Sequence, residues 1–238
     1  MVNRHTALKI RKTHRYLGLF LGIQFLFWTI SGLYFSWTNL DEIHGDHFRN
    51  LEYNHKAFNN LISPSKLMVS EGIKTIDLKD IDNTPYYWVN EKQLFNAIDG
   101  NPKSAITKEE AIYIAKNFMK SNLEVKSVEQ INEVSKHHEY IKNLLPAYVI
   151  SYKTNEEVKA YISIKDGKFR MVRHRSWRWF DFLWMTHTMD YEGRDNFNTT
   201  VLRVFSLLGL ITVLSGFVLW YTSSPTIRKI LKKKNKKE

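Results

Sequence analysis

The chain has 238 residues, a formal net charge of +11, 43% hydrophobic side chains and no cysteine. The missing cysteines exclude disulfides, thiolate metal sites and thiol nucleophiles. Mean hydropathy is negative, so any membrane part is a minority of the chain, and the excess charge sits in two tails rather than on a nucleic-acid-binding face, so no nucleic acid partner is expected.

Residues 1–15 carry five Lys/Arg (Arg4, Lys9, Arg11, Lys12, Arg15) and no acid. Residues 222–238 carry seven against Glu238. These tails contribute +5 and +6, the whole formal +11. They flank two uncharged runs, Tyr16–Trp37 and Val204–Tyr221, each about as long as the ~20 helical residues that cross a bilayer. Basic residues at span ends mark the cytoplasmic side. The expected arrangement is therefore a cytoplasmic tail 1–15, a first transmembrane helix 16–37 and an extracytoplasmic domain 38–176. An interfacial connector 177–199, a second transmembrane helix 200–221 and a cytoplasmic Lys-rich tail 222–238 complete it. The first run ends in Ser36-Trp37-Thr38-Asn39 rather than in a small-residue cleavage site, which favours an uncleaved signal anchor. Both runs carry Ser-Gly pairs, Ser31-Gly32 and Ser215-Gly216. Such pairs let helices approach closely or make room for a flat cofactor.

Immediately after the first run come Asp41, Glu42, His44, Asp46 and His47, with His55 nearby. Mixed carboxylate and imidazole donors suit iron, zinc or nickel, so Asp41, His44, Asp46 and His47 are candidate metal ligands; a solvated polar collar is the other reading. Ser63-Pro64 predicts a helix start. Strands are expected at 74–81, 85–89 and 93–98, closed by Asp99-Gly100. Thr107-Lys108-Glu109-Glu110 forms a capping box opening a helix over 107–120. Further strands are expected at 125–134, 147–153 and 158–164. Residues 85–102 and 146–169 share one plan: a Pro-led apolar strand, a polar turn, a second strand and Asp-Gly. The expected fold class is α+β, two helix-plus-antiparallel-sheet modules at about 60–102 and 105–170, each following a capped helix. The pair His137-His138 lies in a charged turn. Trp177–Asp190 reads as an interfacial amphipathic helix with Trp177, Phe180, Leu183, Trp184 and His187 on one face. Ser63–Lys66 fits S-x-x-K, but its companion motifs are missing, as are G-x-G-x-x-G, the P-loop, H-E-x-x-H and G-x-S-x-G. An autonomous enzyme is therefore not expected.

Several stretches resemble the PepSY-associated transmembrane family. They are Thr13-His14-Arg15-Tyr16-Leu17-Gly18-Leu19 with Ser31-Gly32-Leu33, then Leu183-Trp184-Met185-Thr186-His187, Gly209 and Ser215–Trp220. Helix 107–120 with its strand pairs and Asp-Gly turn resembles PepSY modules. The resemblance implies an integral protein of a bacterial inner membrane with a periplasmic PepSY domain. Larger members have four or more spans, and some are similar to siderophore or flavin-linked iron reductases that carry haem b. This implies an accessory role in iron, haem or siderophore handling, with His14 and His187 at matching positions. It makes His187, His44 and His14 candidate cofactor ligands for haem b or iron. The chain has two spans and no flavin or nicotinamide motif, so electrons would come from a partner. A non-enzymatic domain that binds a peptide, a protease or another envelope protein is the alternative.

A 22-residue helix is about 33 Å long. With His14 and His187 at opposite faces, one iron cannot take both from one subunit. His187 would pair with His44 or His47, or matching histidines would meet in a homodimer.

Overall fold

Helix α1 (Arg4–Trp37) runs through the first basic tail and the whole first apolar run without a break. In the computed structural model, residues 4–54, 56–135, 138–194 and 196–226 are described; His55, His137 and Lys229–Lys237 lie outside them. Helix α5 (Thr200–Ser223) starts at Thr199, whose hydroxyl accepts from the Leu202 amide at 3.2 Å. Segments Leu8–Trp37 and Thr200–Ser223 are long and apolar enough to cross a membrane. Their large side chains, among them Leu19, Phe20, Leu214 and Phe217, are exposed. A core helix of a water-soluble protein would bury such residues; a lipid-facing helix leaves them outward.

The chain divides into two units. One holds α1 and the residues from Asp181 onward; the other is Thr38–Phe180. In the first, α1 packs on α5: the rings of Phe20 and Phe205 stack at 5.6 Å. A Cβ on Gly209 would lie 3.2 Å from Phe25 Cζ. Gly209 thus admits a ring where any side chain would crowd it. By contrast, a Cβ on Gly18, Gly22 or Gly32 would meet no described atom within 4 Å. The glycine of the first Ser-Gly pair therefore makes no helix contact, and that of the second does.

The second unit opens with a short helix, α2 (Leu40–His44), and a 3-10 turn, Asp46–Phe48. Two four-stranded antiparallel sheets follow, each in simple sequential order. The first is β1 (Ile76–Ile81), β2 (Thr84–Val89), β3 (Gln93–Asn96) and β4 (Pro102–Lys103). The second is β5 (Val125–Ile131), β6 (Ala147–Tyr152), β7 (Lys159–Ser163) and β8 (Phe169–Arg173). Asp82 and Asn83 join β1 to β2 with φ of 51° and 61°, the left-handed pair that a two-residue hairpin needs and Asn and Asp tolerate. Helix α3 (Lys108–Phe118) carries the expected capping box in full. Its apolar face, Ala111, Ile114 and Ala115, joins one core with Ile81, Trp88 and Leu94 of the first sheet and Ile150, Ala160 and Ile162 of the second. The opposite sheet faces hold smaller clusters, Tyr87–Val89–Phe95 and Tyr140–Val149–Tyr161.

Two expectations are corrected. Ser63-Pro64 starts only a 3-10 turn, Pro64–Lys66, and the Ser63 hydroxyl bonds Ser65 Oγ at 2.8 Å rather than capping an amide. The first sheet therefore has no capped helix of its own. Strands β4 and β8 were not foreseen: β4 is two residues long, and β8 (FRMVR) breaks its apolar run with arginines.

Candidate functional site

Helix α4 (Arg175–Thr188) ends with carbonyls that no further turn can satisfy. Side chains of α1 take that role. Gln24 Nε2 donates to the Thr186 carbonyl at 3.2 Å and Trp28 Nε1 to the His187 carbonyl at 2.8 Å. Ser31 lies one turn on, with its Oγ 2.7 Å from His187 Nδ1. Gln24, Trp28 and Ser31 are spaced four and three residues apart, one face of α1. Gln24, Trp28 and Ser31 are thus the dock for the end of α4. Around His187, the Phe35 ring sits edge-on at 5.6 Å and the Trp28 ring at 6.4 Å. Past the helix, Asp190 is buried and accepts the amides of Glu192, Gly193 and Asn196, and Arg194 pairs with Asp181 at 3.0 Å. The return loop is held by its own carboxylates.

His14 has the same surroundings in miniature. Its Nδ1 lies 2.7 Å from Ser215 Oγ on α5. A Cβ on Gly216 would stand 3.3 Å from His14 Cε1, so Gly216 makes the space for the imidazole. Below it, Arg11 donates to Ser223 Oγ at 3.2 Å.

Both serines also contact helix carbonyls: Ser31 Oγ lies 2.7 Å from the Phe27 carbonyl and Ser215 Oγ 2.7 Å from the Thr212 carbonyl. Each hydroxyl can donate to its carbonyl or to its histidine, so it holds Nδ1 in place with either ring tautomer. Each Nε2 has no hydrogen-bond partner among the described residues. A hydroxyl that fixes one ring nitrogen in this way orients an imidazole for coordination or proton exchange through the other. Ser31 lies 17 positions beyond His14 on α1, about 25 Å along the helix. One metal ion cannot take both histidines in one chain.

The candidate metal ligands after α1 are arranged otherwise. Gly45 (φ 85°) ends α2 and turns the chain, so His44 and His47 do not share one helix face. Asp46 is engaged by Arg49 at 3.0 Å. His47 lies tilted against Phe48 at 3.9 Å and meets the ring of His174 edge-on at 5.3 Å. Asp41 and His44 are exposed. Among the described residues no three His, Asp or Glu side chains converge as a metal set. His174, not singled out in the sequence, is buried, and its Nε2 lies 3.0 Å from the Ile43 carbonyl. Burial pushes it below the ordinary histidine range, against the opposing pull of that carbonyl. His138 Nδ1 accepts from the Tyr140 amide at 3.0 Å.

Residues 11–237 match the model of the family described as the PepSY-associated TM region. The match covers almost the whole chain, and the chain belongs to that family. It is a membrane protein, two apolar helices flanking an α+β region. No curated protein and no solved structure matches it.

Proposed function

We propose that this member of the PepSY-associated family is an accessory component of iron, haem or siderophore handling that binds haem b or iron through His14 and His187. The observation that carries this reading is the matched pair of serines: each holds the Nδ1 of a histidine at 2.7 Å and leaves its Nε2 open to another partner. The donor chemistry suits one imidazole per haem. The other described histidine of that unit, His5, lies nine residues from His14 on the same helix, so the second axial position falls to another copy or a partner protein. Bound haem b would supply one-electron transfer; the chain's own contribution is to orient the imidazoles and surround them with apolar side chains. The basic tails support a bacterial inner-membrane location with both ends inside and Thr38–Phe180, with two PepSY-like modules, outside.

The test is a reduced-minus-oxidised absorption spectrum of protein purified in mild detergent from haem-replete cells. A b-type signal that falls in His187→Ala and in His14→Ala is expected. No such signal in the parent protein overturns the haem reading.

A second reading, in which the Thr38–Phe180 unit binds a peptide, protease or envelope protein, is favoured by its sheet edges. Among the described residues the edge strands are β1 and β4, β5 and β8, and open edges accept an added strand. Stretches 85–98 and 146–164 form the interior strands, so cross-linkers belong on 76–81 and 169–173. Failure to recover a specific envelope partner from those positions would count against this reading.

A further inference from the structure

Within the Thr38–Phe180 unit, the β7–β8 turn lies against the first sheet. Gly167 (φ 66°) makes this possible: a Cβ there would stand 3.1 Å from Ile114 Cδ1 and 3.4 Å from Ile81 Cγ1. Beside that contact is a cavity of about 270 Å³, a little under the ~300–1,000 Å³ of small-molecule clefts. Its walls include Trp88 from β2, Leu144 and Leu145 from the turn before β6, and Lys165 and Lys168 flanking Asp166-Gly167.

Charge accounting gives the site a sign. Two of the lining carboxylates are already engaged: Asp77 by Lys79 at 3.4 Å and Asp166 by Arg170 at 3.2 Å. Lys165 and Lys168 have no ion pair among the described residues, and Glu91 is the lining carboxylate left without one. The surplus is cationic, on a turn that packing holds in place, in a mostly polar cavity that also holds Trp88, Leu144 and Leu145.

We propose that this cavity binds the carboxylate of a ligand of amino-acid to tripeptide size, with Lys165 and Lys168 meeting the charge and Trp88, Leu144 and Leu145 the apolar part. The proposal is independent of the histidine sites. Calorimetric titration of the full-length protein in mild detergent with N-acetyl-leucine, Gly-Gly-Leu and Gly-Gly-Leu amide tests it. The two acids are expected to bind saturably, at least tenfold more tightly than the amide, and less tightly as salt rises. The exposed double substitution Lys165→Gln/Lys168→Gln should weaken acid binding tenfold or more with the thermal transition unmoved. Tighter binding of Gly-Gly-Leu than of N-acetyl-leucine assigns the site to a chain terminus, and equal binding to a free small carboxylate. No saturable binding by either acid, equal binding of acid and amide, or an unaffected double variant each overturns the proposal.

Discussion

Ser31 Oγ is hydrogen-bonded to His187 Nδ1 at 2.7 Å, across 156 residues of chain. The bond ties the last turn of α4 to α1 and sets the free nitrogen of the ring. Replacing Ser31 with Ala removes this partner and leaves a part-buried ring nitrogen without it. Hydrogen bonds between membrane helices contribute roughly 0.5–2 kcal/mol. Ser31→Ala is expected to lower the thermal transition in detergent. In a double-mutant cycle with His187→Ala the two should couple by about 1 kcal/mol. Additive effects would mean that the bond is not formed.

The two Ser-Gly pairs should answer differently to the same substitution. Gly216→Ala places a methyl 3.3 Å from His14 Cε1, so the imidazole must give way by a few tenths of an ångström. Gly32→Ala meets nothing described within 4 Å and gains helix propensity. Gly216→Ala should reduce thermal stability and, in the haem reading, any signal that depends on His14. Gly32→Ala should be neutral or slightly stabilising. Equal losses at both sites would contradict the packing of α1 on α5.

How far these features were legible depends on how local they are. The capping box at Thr107 and Glu110 lies within four residues, and both of its bonds form. The apolar runs carry their own length and charge boundaries. The serine partners of His14 and His187 are 201 and 156 residues away, a distance at which composition and periodicity say nothing. The histidines themselves stood out through family resemblance. His174 gave no local signal, since its burial is made by Ile43 and Gly45 folding back over β8. Ser63-Pro64 misled because a proline start favours any first turn, and only the residues after it decide whether a helix continues.

Glu139 couples the start of α4 to the second sheet. It accepts from Arg178 Nε at 2.7 Å and from the Tyr161 hydroxyl at 2.6 Å, with Lys159 at 3.2 Å. Burial by itself pushes this carboxyl up, but the Arg178 and Tyr161 hydrogen bonds and the two cations outweigh it and hold it down at about 2. A carboxyl with a folded value below its ordinary one of 4.5 stabilises the fold above that ordinary value. The contribution fades as pH falls through the window from about 4.5 to about 2. A depression of this size corresponds to about 3 kcal/mol. Unfolding followed between pH 6 and pH 2 should show the parent losing stability across that window. Glu139→Gln should be less stable at pH 6 and flatter with pH. A parallel profile in the variant would remove Glu139 from the account.

Gly45 is required twice over, and its Cβ position is the most crowded among the left-handed glycines of the same unit. Its φ of 85° disfavours any L side chain by about 1–2 kcal/mol. A Cβ there would also lie 2.8 Å from Val172 Cγ1 and 3.6 Å from His174 Cδ2. Gly72 has a similar φ of 72° but open space around it. Gly72→Ala should therefore show the backbone cost alone, on the order of 1 kcal/mol. Gly45→Ala should exceed it by about 1–3 kcal/mol, because crowding a packed core adds that much. Since β8 leads into α4, trypsin should then cut at Arg173 and Arg175 sooner in Gly45→Ala than in Gly72→Ala. Indistinguishable stability and cleavage in the two variants would show that the turn at Gly45 is not packed against β8.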